Sequence, residues 1–257
     1  PREWVRLSLT AGGSRCAQGP GLRKKRDENM KFAAVGFTCI DVYKNLNIRY
    51  PTGNGIDLMF NLMEQLPGLV PSVVTAVGDD ENGALMLSAC ARRKVDTSHI
   101  RVVPGGQTAV IEMLLNGRDR VHHRADKGVM IPYQPTGEDM DFIRSQDCIH
   151  TDLSWQVTGL LSDMRRNGTK IYFDFSKRYQ HPDVPEILKN INYGIFSFEE
   201  ENEEVRELLK MGCGLGAEIM LATFGEKGSL AYDGSQFYRQ PCIPAATLVN
   251  TVGAGDS

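Results

Sequence analysis

Cys148-Ile149-His150-Thr151-Asp152-Leu153, then Trp155 to Arg166, then Lys170-Ile171-Tyr172-Phe173-Asp174-Phe175, is the stretch whose reading decides the fold. Its outer segments are short apolar runs of strand length, and the middle segment reads as a helix. Gly168 stands just past that helix, where a C-terminal cap favours glycine. Strand, helix, strand predicts a unit whose two strands lie parallel, because a crossover helix returns the chain to the same end of the sheet.

The same rhythm extends in both directions. Lys31 to Phe37 and Ser72 to Val77 read as strands, and Gly55 to Leu66 as a helix with Ile56, Met59, Phe60 and Met63 at helical spacing. Asp79-Asp80 supply N-caps for a helix through Leu85, Leu87 and Ala91 that ends near Lys94, and Ile100 to Val103 is a short strand. Tyr193 to Phe198 and Glu218 to Thr223 are strands around an acidic helix from Glu199 to Met211, and a hairpin follows around Asp233-Gly234. Gln107 to Leu115 and Arg120 to Arg124 flank the turn Asn116-Gly117-Arg118-Asp119, a hairpin that interrupts the alternation. The expected class is α/β: a doubly wound, mostly parallel sheet with helices on both faces and a small β excursion. In such sheets a ligand lies at the carboxyl ends of the strands.

Composition narrows the function classes. A net charge of -3, with 41% hydrophobic and 24% charged residues, is ordinary for a globular protein and offers no footprint for nucleic acid. No apolar stretch reaches the roughly 18 residues of a membrane helix. Cys16, Cys39, Cys90, Cys148, Cys213 and Cys242 are widely spaced with no C-x-x-C pair, so they read as free thiols of a cytoplasmic protein. Residues 1–29 carry seven basic side chains against three acidic ones, with little apolar periodicity. They are expected to be a disordered or non-native extension, with folding beginning at Met30.

Several patterns are decoys. The G-x-x-x-x-G-K-[ST] phosphate loop is absent. Gly212-Cys213-Gly214-Leu215-Gly216-Ala217 fits G-x-G-x-x-A by letters but follows a helix rather than a strand, and reads as a helix-to-strand loop. His122-His123 are adjacent on a strand, so they face opposite ways and cannot share a metal.

Gly253-Ala254-Gly255-Asp256 carries the chemistry. Glycines let backbone amides approach a ligand, and a helix starting there would point several N–H groups at one anion. Asp256 beside such a cradle could take a proton from a hydroxyl while a phosphoryl group is transferred. Three other places stand out. Asp41 follows the first strand, Thr52-Gly53-Asn54-Gly55 opens a helix, and Thr223-Phe224-Gly225-Glu226-Lys227-Gly228 follows a late strand.

In chain order and spacing these places resemble the ribokinase-like (PfkB) carbohydrate kinase family, from about Lys31 to the end. Asn250-Thr251-Val252-Gly253-Ala254-Gly255-Asp256 matches its Asp-Thr-x-Gly-Ala-Gly-Asp signature. Within the family, Cys39 to Tyr43, Val77 to Asp80, Lys127 to Met130, Phe173 to Ser176 and Ala231 to Phe237 resemble the branch that phosphorylates fructoselysine. The resemblance implies ATP and Mg²⁺ as cofactors and a sugar as substrate, with the 6-hydroxyl of fructoselysine or a similar amino-sugar adduct as acceptor. It makes Asp256 the base and Gly253, Ala254 and Gly255 the anion hole. Asp41, Gly53, Asn54 and Asp57 would hold the sugar, Thr223, Gly225, Gly228 and Thr251 the nucleotide, and Glu200 the metal. Segments at about 41–52 and 105–125 would form a lid, through which a homodimer could form. Another sugar, such as fructose or a keto-deoxy acid, and a non-catalytic sugar-binding relative are the alternatives.

Three departures from the family pattern matter. Asp57 stands where an Asn usually contacts sugar, and an ionised carboxylate only accepts hydrogen bonds, so it favours a donor-rich or cationic ligand. Ser197 with Glu200 stands where the family has Asn-x-x-Glu near the metal and phosphates, which leaves that role open here, and Asn250 replaces an acid tied to a monovalent-cation loop, so potassium activation is not assumed. The resemblance also places further segments beyond Ser257, and the chain as it stands is expected to be inactive or poorly folded.

Overall fold

The computed structural model describes residues 29–116 and 119–243, with the backbone alone at 115, 116 and 119–122. In chain order the first half forms β1 (Met30–Val35), β2 (Cys39–Tyr43), β3 (Ile48–Thr52), α1 (Asn54–Gln65), β4 (Leu69–Gly78), α2 (Glu81–Arg92), β5 (Asp96–Val103), β6 (Val110–Asn116), β7 (Asp119–Asp126) and α3 (Gly137–Arg144). The second half forms β8 (Cys148–Asp152), α4 (Leu161–Met164), β9 (Lys170–Ser176), α5 (Val184–Leu188), β10 (Tyr193–Ser197), α6 (Glu203–Gly214), β11 (Ile219–Thr223), β12 (Ser229–Tyr232) and β13 (Phe237–Gln240).

The main sheet has the order β13-β12-β11-β10-β9-β8-β1-β4-β5. Its pairs from β5 across to β11 are parallel, and β12 and β13 add an antiparallel edge. Alternation along β1 shows why helices cover both faces. Phe32 and Ala34 enter a core with Ile56 and Met59 of α1 and Met86 of α2, while Ala33 and Val35 enter one with Ile143, Leu161, Ile187 and Leu209 of α3 to α6. The expected α/β class is therefore borne out.

The unit at 148–175 has its strands parallel and in register, Cys148 opposite Lys170 and Asp152 opposite Asp174. Its helix is shorter than the expected Trp155–Arg166: a 3-10 turn at Thr158–Leu160 leads into α4. The Trp155 indole is buried and donates to Thr151 Oγ1 at 2.9 Å, and the Ser154 amide donates to Asp152 Oδ1 at 2.5 Å. Those bonds tie the chain back to the strand end instead of starting a helix. The acidic helix likewise begins late. Asn202 Oδ1 accepts from the Val205 amide at 2.9 Å, fixing the start of α6, and α6 then runs through Gly212 to Gly214. The segment expected as a helix-to-strand loop is thus helical over its first three residues. Gly212 has no side chain because Met220 lies against it, 2.7 Å from where a Cβ would stand.

A second sheet, order β3-β2-β6-β7, follows directly from the carboxyl end of β1. β6 and β7 pair antiparallel, with Asn116 opposite Asp119, as the hairpin reading requires. The Ile40 amide bonds Ala109 O at 2.9 Å, and Asp80, the N-cap of α2, accepts from Thr108 N (2.9 Å) and Thr108 Oγ1 (2.6 Å). No helix among the described residues is long and apolar enough to cross a membrane. Residues 1–28 and 244–257 lie outside the described residues.

Asp139 joins α3 to the edge strand β5. Its carboxylate takes Thr136 N (2.8 Å) and Oγ1 (2.8 Å), His99 Nδ1 (2.8 Å) and Arg101 Nη2 (3.3 Å). Burial alone would raise its pKa, but the bonds from His99 and Thr136 outweigh it and hold it below the usual carboxylate value. A depressed folded-state pKa contributes stability above the unfolded value and loses it as pH falls through the folded one. Asp139→Asn should therefore lower Tm at neutral pH and cost progressively less as pH drops below about 4. Thermal melts of both proteins across that range check the convergence, and a constant difference would refute it.

Candidate active site

The candidate sugar site gathers at the carboxyl ends of β1, β8 and β9. Gly53 caps α1 at φ 141, a backbone that only glycine adopts freely, and a Cβ there would stand 2.7 Å from Phe37 O. That close approach brings Asn54, the first residue of α1, over the sheet edge, where its Nδ2 donates to Asp174 Oδ2 at 2.9 Å. Asp174 also accepts from the Ser176 amide at 2.7 Å, and Ser176 sits at φ 52 as β9 ends. A non-glycine residue in that region costs energy and marks functional loops. Asp57, one turn into α1, accepts from Thr52 Oγ1 at 2.5 Å.

Asp41 lies on β2 at 4% exposure, opposite Tyr50 of β3. The buried Cys39 thiol reports what surrounds it. Burial first, then the charges of Asp41, Asp57 and Asp152, push it well above its ordinary pKa. Three acids from β2, α1 and β8 thus share one neighbourhood, and β-sheet register sets Asp174 beside Asp152. Beneath them His150 is fully buried, and burial drives its pKa down to about 3, so it is neutral. Gly55 is the spacer, since a Cβ there would stand 2.8 Å from His150 Nδ1.

The second group lies on the same edge around β10 and β11. Thr223 ends β11, its hydroxyl 3.4 Å from Phe196 O and 3.4 Å from Ser197 Oγ. The next residues make a 3-10 turn, Gly225–Lys227, between Gly225 (φ 56) and Gly228 (φ 92). The Phe224 amide bonds Gly228 O at 2.8 Å and closes the loop. Glu200 is exposed and pairs with Lys227 at 3.4 Å, at a cavity of about 400 Å³ that Asn202, Arg206 and Arg239 also line. Among the described residues no cluster of three or more His, Cys, Asp or Glu could hold a metal.

The structure therefore brings Asp41, Asn54 and Asp57 together, and sets Thr223, Gly225, Gly228 and Glu200 together elsewhere on the same edge. From β1 to β11 is four strand spacings, roughly 19 Å. Asp256, Gly253, Ala254, Gly255 and Thr251 lie outside the described residues. Asp152 and Asp174 were not singled out from sequence as site residues. The signal was an acid ending each of two apolar runs, Thr151-Asp152 and Phe173-Asp174-Phe175, on strands that prove to be neighbours.

Comparison with known proteins bears on the family and the fold. The sequence profile of the pfkB family carbohydrate kinases matches residues 50–257. The chain is 31% identical to fructoselysine 6-kinase of Escherichia coli (strain K12), over 88% of this chain and 85% of that protein. It is 29% identical to a fructosamine kinase of Bacillus subtilis (strain 168), over 89% and 80%. Among solved structures, Arabidopsis thaliana ribokinase complexed with ribose and ATP superposes with a TM-score of 0.71 at 18% identity, covering 89% of this chain and 83% of that one. This likeness at low identity reflects a shared fold, while the profile match and the 31% identity carry the relationship, and the chain belongs to the pfkB family of carbohydrate kinases.

Proposed function

We propose that this protein transfers the γ-phosphoryl group of ATP to a sugar hydroxyl, the 6-hydroxyl of fructoselysine or a similar ketose amine. The observation that carries the reading is the convergence of Asp41, Asp57 and Asp152 on one buried neighbourhood beside Asp174, on the same sheet edge as the Thr223–Gly228 loop. Carboxylates accept hydrogen bonds from several hydroxyls at once and favour an ammonium group. The names of the two relatives above support the same substrate class.

In this reading Asp41 and Asp57 hold sugar hydroxyls, with Gly53 and Asn54 shaping the floor. The second sheet, from the segments at about 41–52 and 105–125, covers the sugar and keeps out water that could accept the phosphoryl group. Thr223, Gly225, Gly228 and Thr251 contact the nucleotide. Asp256 removes the hydroxyl proton, and the amides of Gly253, Ala254 and Gly255 face the charge that develops on the transferred group. Glu200 exposes a hard oxygen donor at the cavity mouth, which suits Mg²⁺, an ion that usually takes one or two carboxylates and substrate phosphates. When bound, Mg²⁺ supplies charge neutralisation on the phosphates.

The test is ADP release with ATP-Mg²⁺ and a panel of fructoselysine, fructose, ribose and a keto-deoxy sugar acid. Phosphorus NMR of the product identifies the ester formed. Fructoselysine should give the highest kcat/KM and a 6-phosphate. No sugar-dependent ADP release with any member of the panel would end this reading.

A further inference from the structure

We propose that Asp152 is the residue that selects a protonated amine on the substrate, holding it against the floor that Asp174 and Asn54 complete. The inference rests on the sugar-kinase reading and sharpens its specificity. Its geometric basis is register: Asp152 and Asp174 are direct partners on adjacent parallel strands, so both side chains leave the same face of the sheet. That face is the one α1 covers, because Asn54 at the start of α1 bonds Asp174. Like charges directly opposite each other on a sheet are destabilising, and a fold keeps them only where something compensates.

For Asp174 the compensation is visible. Asn54 Nδ2 and the Ser176 amide satisfy it, and the N-terminus of α1 adds a favourable field. Asp152 is different. It is 3% exposed and accepts the Ser154 amide, yet among the described residues no cation forms an ion pair with it. Lys127 and Arg178 are close enough to act on it electrostatically but spend their hydrogen bonds elsewhere. Lys127 Nζ donates to Ser154 O at 2.7 Å, and Arg178 Nη2 to Ser154 Oγ at 3.4 Å. A buried acid without a counter-ion, in the neighbourhood it shares with Asp41 and Asp57, is a place for a ligand's positive charge. A plain hexose offers only neutral hydroxyls there. A ketose amine offers an ammonium and satisfies the acid with a charge-assisted hydrogen bond.

Burial raises the Asp152 pKa above its ordinary value despite the bonds from Ser154. For a raised acid the sign is opposite to that of Asp139: ionising it costs stability as pH rises through its folded-state pKa. Asp152→Asn should therefore raise Tm at neutral pH while damaging selectivity. A side chain with only a structural role would not separate the two readouts.

The experiment compares wild type, Asp152→Asn and Asp152→Glu with fructoselysine and with fructose. Calorimetric binding without ATP is read first, and kcat/KM second. The preference for fructoselysine over fructose should fall roughly 10–100-fold in Asp152→Asn, the worth of a charged hydrogen bond, and recover partly in Asp152→Glu. An unchanged preference in Asp152→Asn, or a wild-type protein that binds the two sugars equally, overturns the proposal. Selective binding that is lost in Asp152→Asn upholds it even if no phosphoryl transfer occurs, in which case only the kinase reading falls.

Discussion

Asp256→Asn should lower kcat for the preferred sugar by roughly 10²–10⁴, the range for a positioned acid–base group. The amide keeps the size and much of the hydrogen-bonding of the carboxylate but cannot accept the hydroxyl proton at neutral pH. The attacking oxygen must then lose its proton to water, from a site proposed to exclude water. Phosphoryl transfer relies on positioning and charge stabilisation rather than covalent chemistry by the protein, so the rest of the arrangement should survive. Sugar affinity is accordingly expected to change far less than turnover, because Asp41, Asn54 and Asp57 occupy other elements, β2 and α1. Steady-state kinetics under saturating ATP, paired with calorimetric sugar binding, separates the two effects. Turnover within about threefold of wild type would remove Asp256 from the base role, and the Gly253–Gly255 cradle would lose its main support.

The strand–helix alternation was legible because strands at the centre of the sheet, such as β1 and β4, are buried on both faces and read as apolar runs. Val73 and Val74, for example, face opposite ways and enter the two different cores at 0% exposure. Helix starts were legible where a side chain caps them, as Asp80 does for α2. They were misread where a tertiary bond overrides local periodicity, as at Trp155, whose indole prefers Thr151 and the core to a helical turn. α3 escaped sequence reading because it is only eight residues long and its capping box closes through Asp139 rather than the usual Glu or Gln. The site divides in the same way. Gly53 and Asn54 stood out because a glycine turn at a strand-to-helix junction carries meaning locally, and Asp41 because an acid interrupts an apolar strand run. Asp152 and Asp174 were not, since their partnership exists only once β8 and β9 lie side by side.

Gly36→Ala should be the most damaging small substitution near the site. Gly36 leaves β1 at φ 114, and the Trp155 indole lies where a side chain would go, with Nε1 only 2.0 Å from an ideal Cβ. Two costs act together: about 1–3 kcal/mol of backbone strain and about 1–3 kcal/mol of overpacking. Neither can relax cheaply. The Gly36 amide bonds Val74 O at 2.9 Å, its carbonyl accepts from Thr75 Oγ1 at 2.7 Å, and Trp155 is held by Thr151 and lies against Tyr133 with ring centroids 5.8 Å apart. A combined loss of roughly 2–6 kcal/mol is a large share of the 5–15 kcal/mol typical of a folded domain, and should lower Tm by roughly 4–24 °C. A double-mutant cycle separates the two costs. Trp155→Ala alone should cost roughly 3–5 kcal/mol through the cavity it leaves. With the indole gone, the methyl group that Gly36→Ala adds meets no ring, so the pair should cost less than the sum of the singles, leaving mainly the strain. Strict additivity in denaturant unfolding would show that the indole and Gly36 do not act on each other, and that the close approach at the end of β1 is not what requires glycine there.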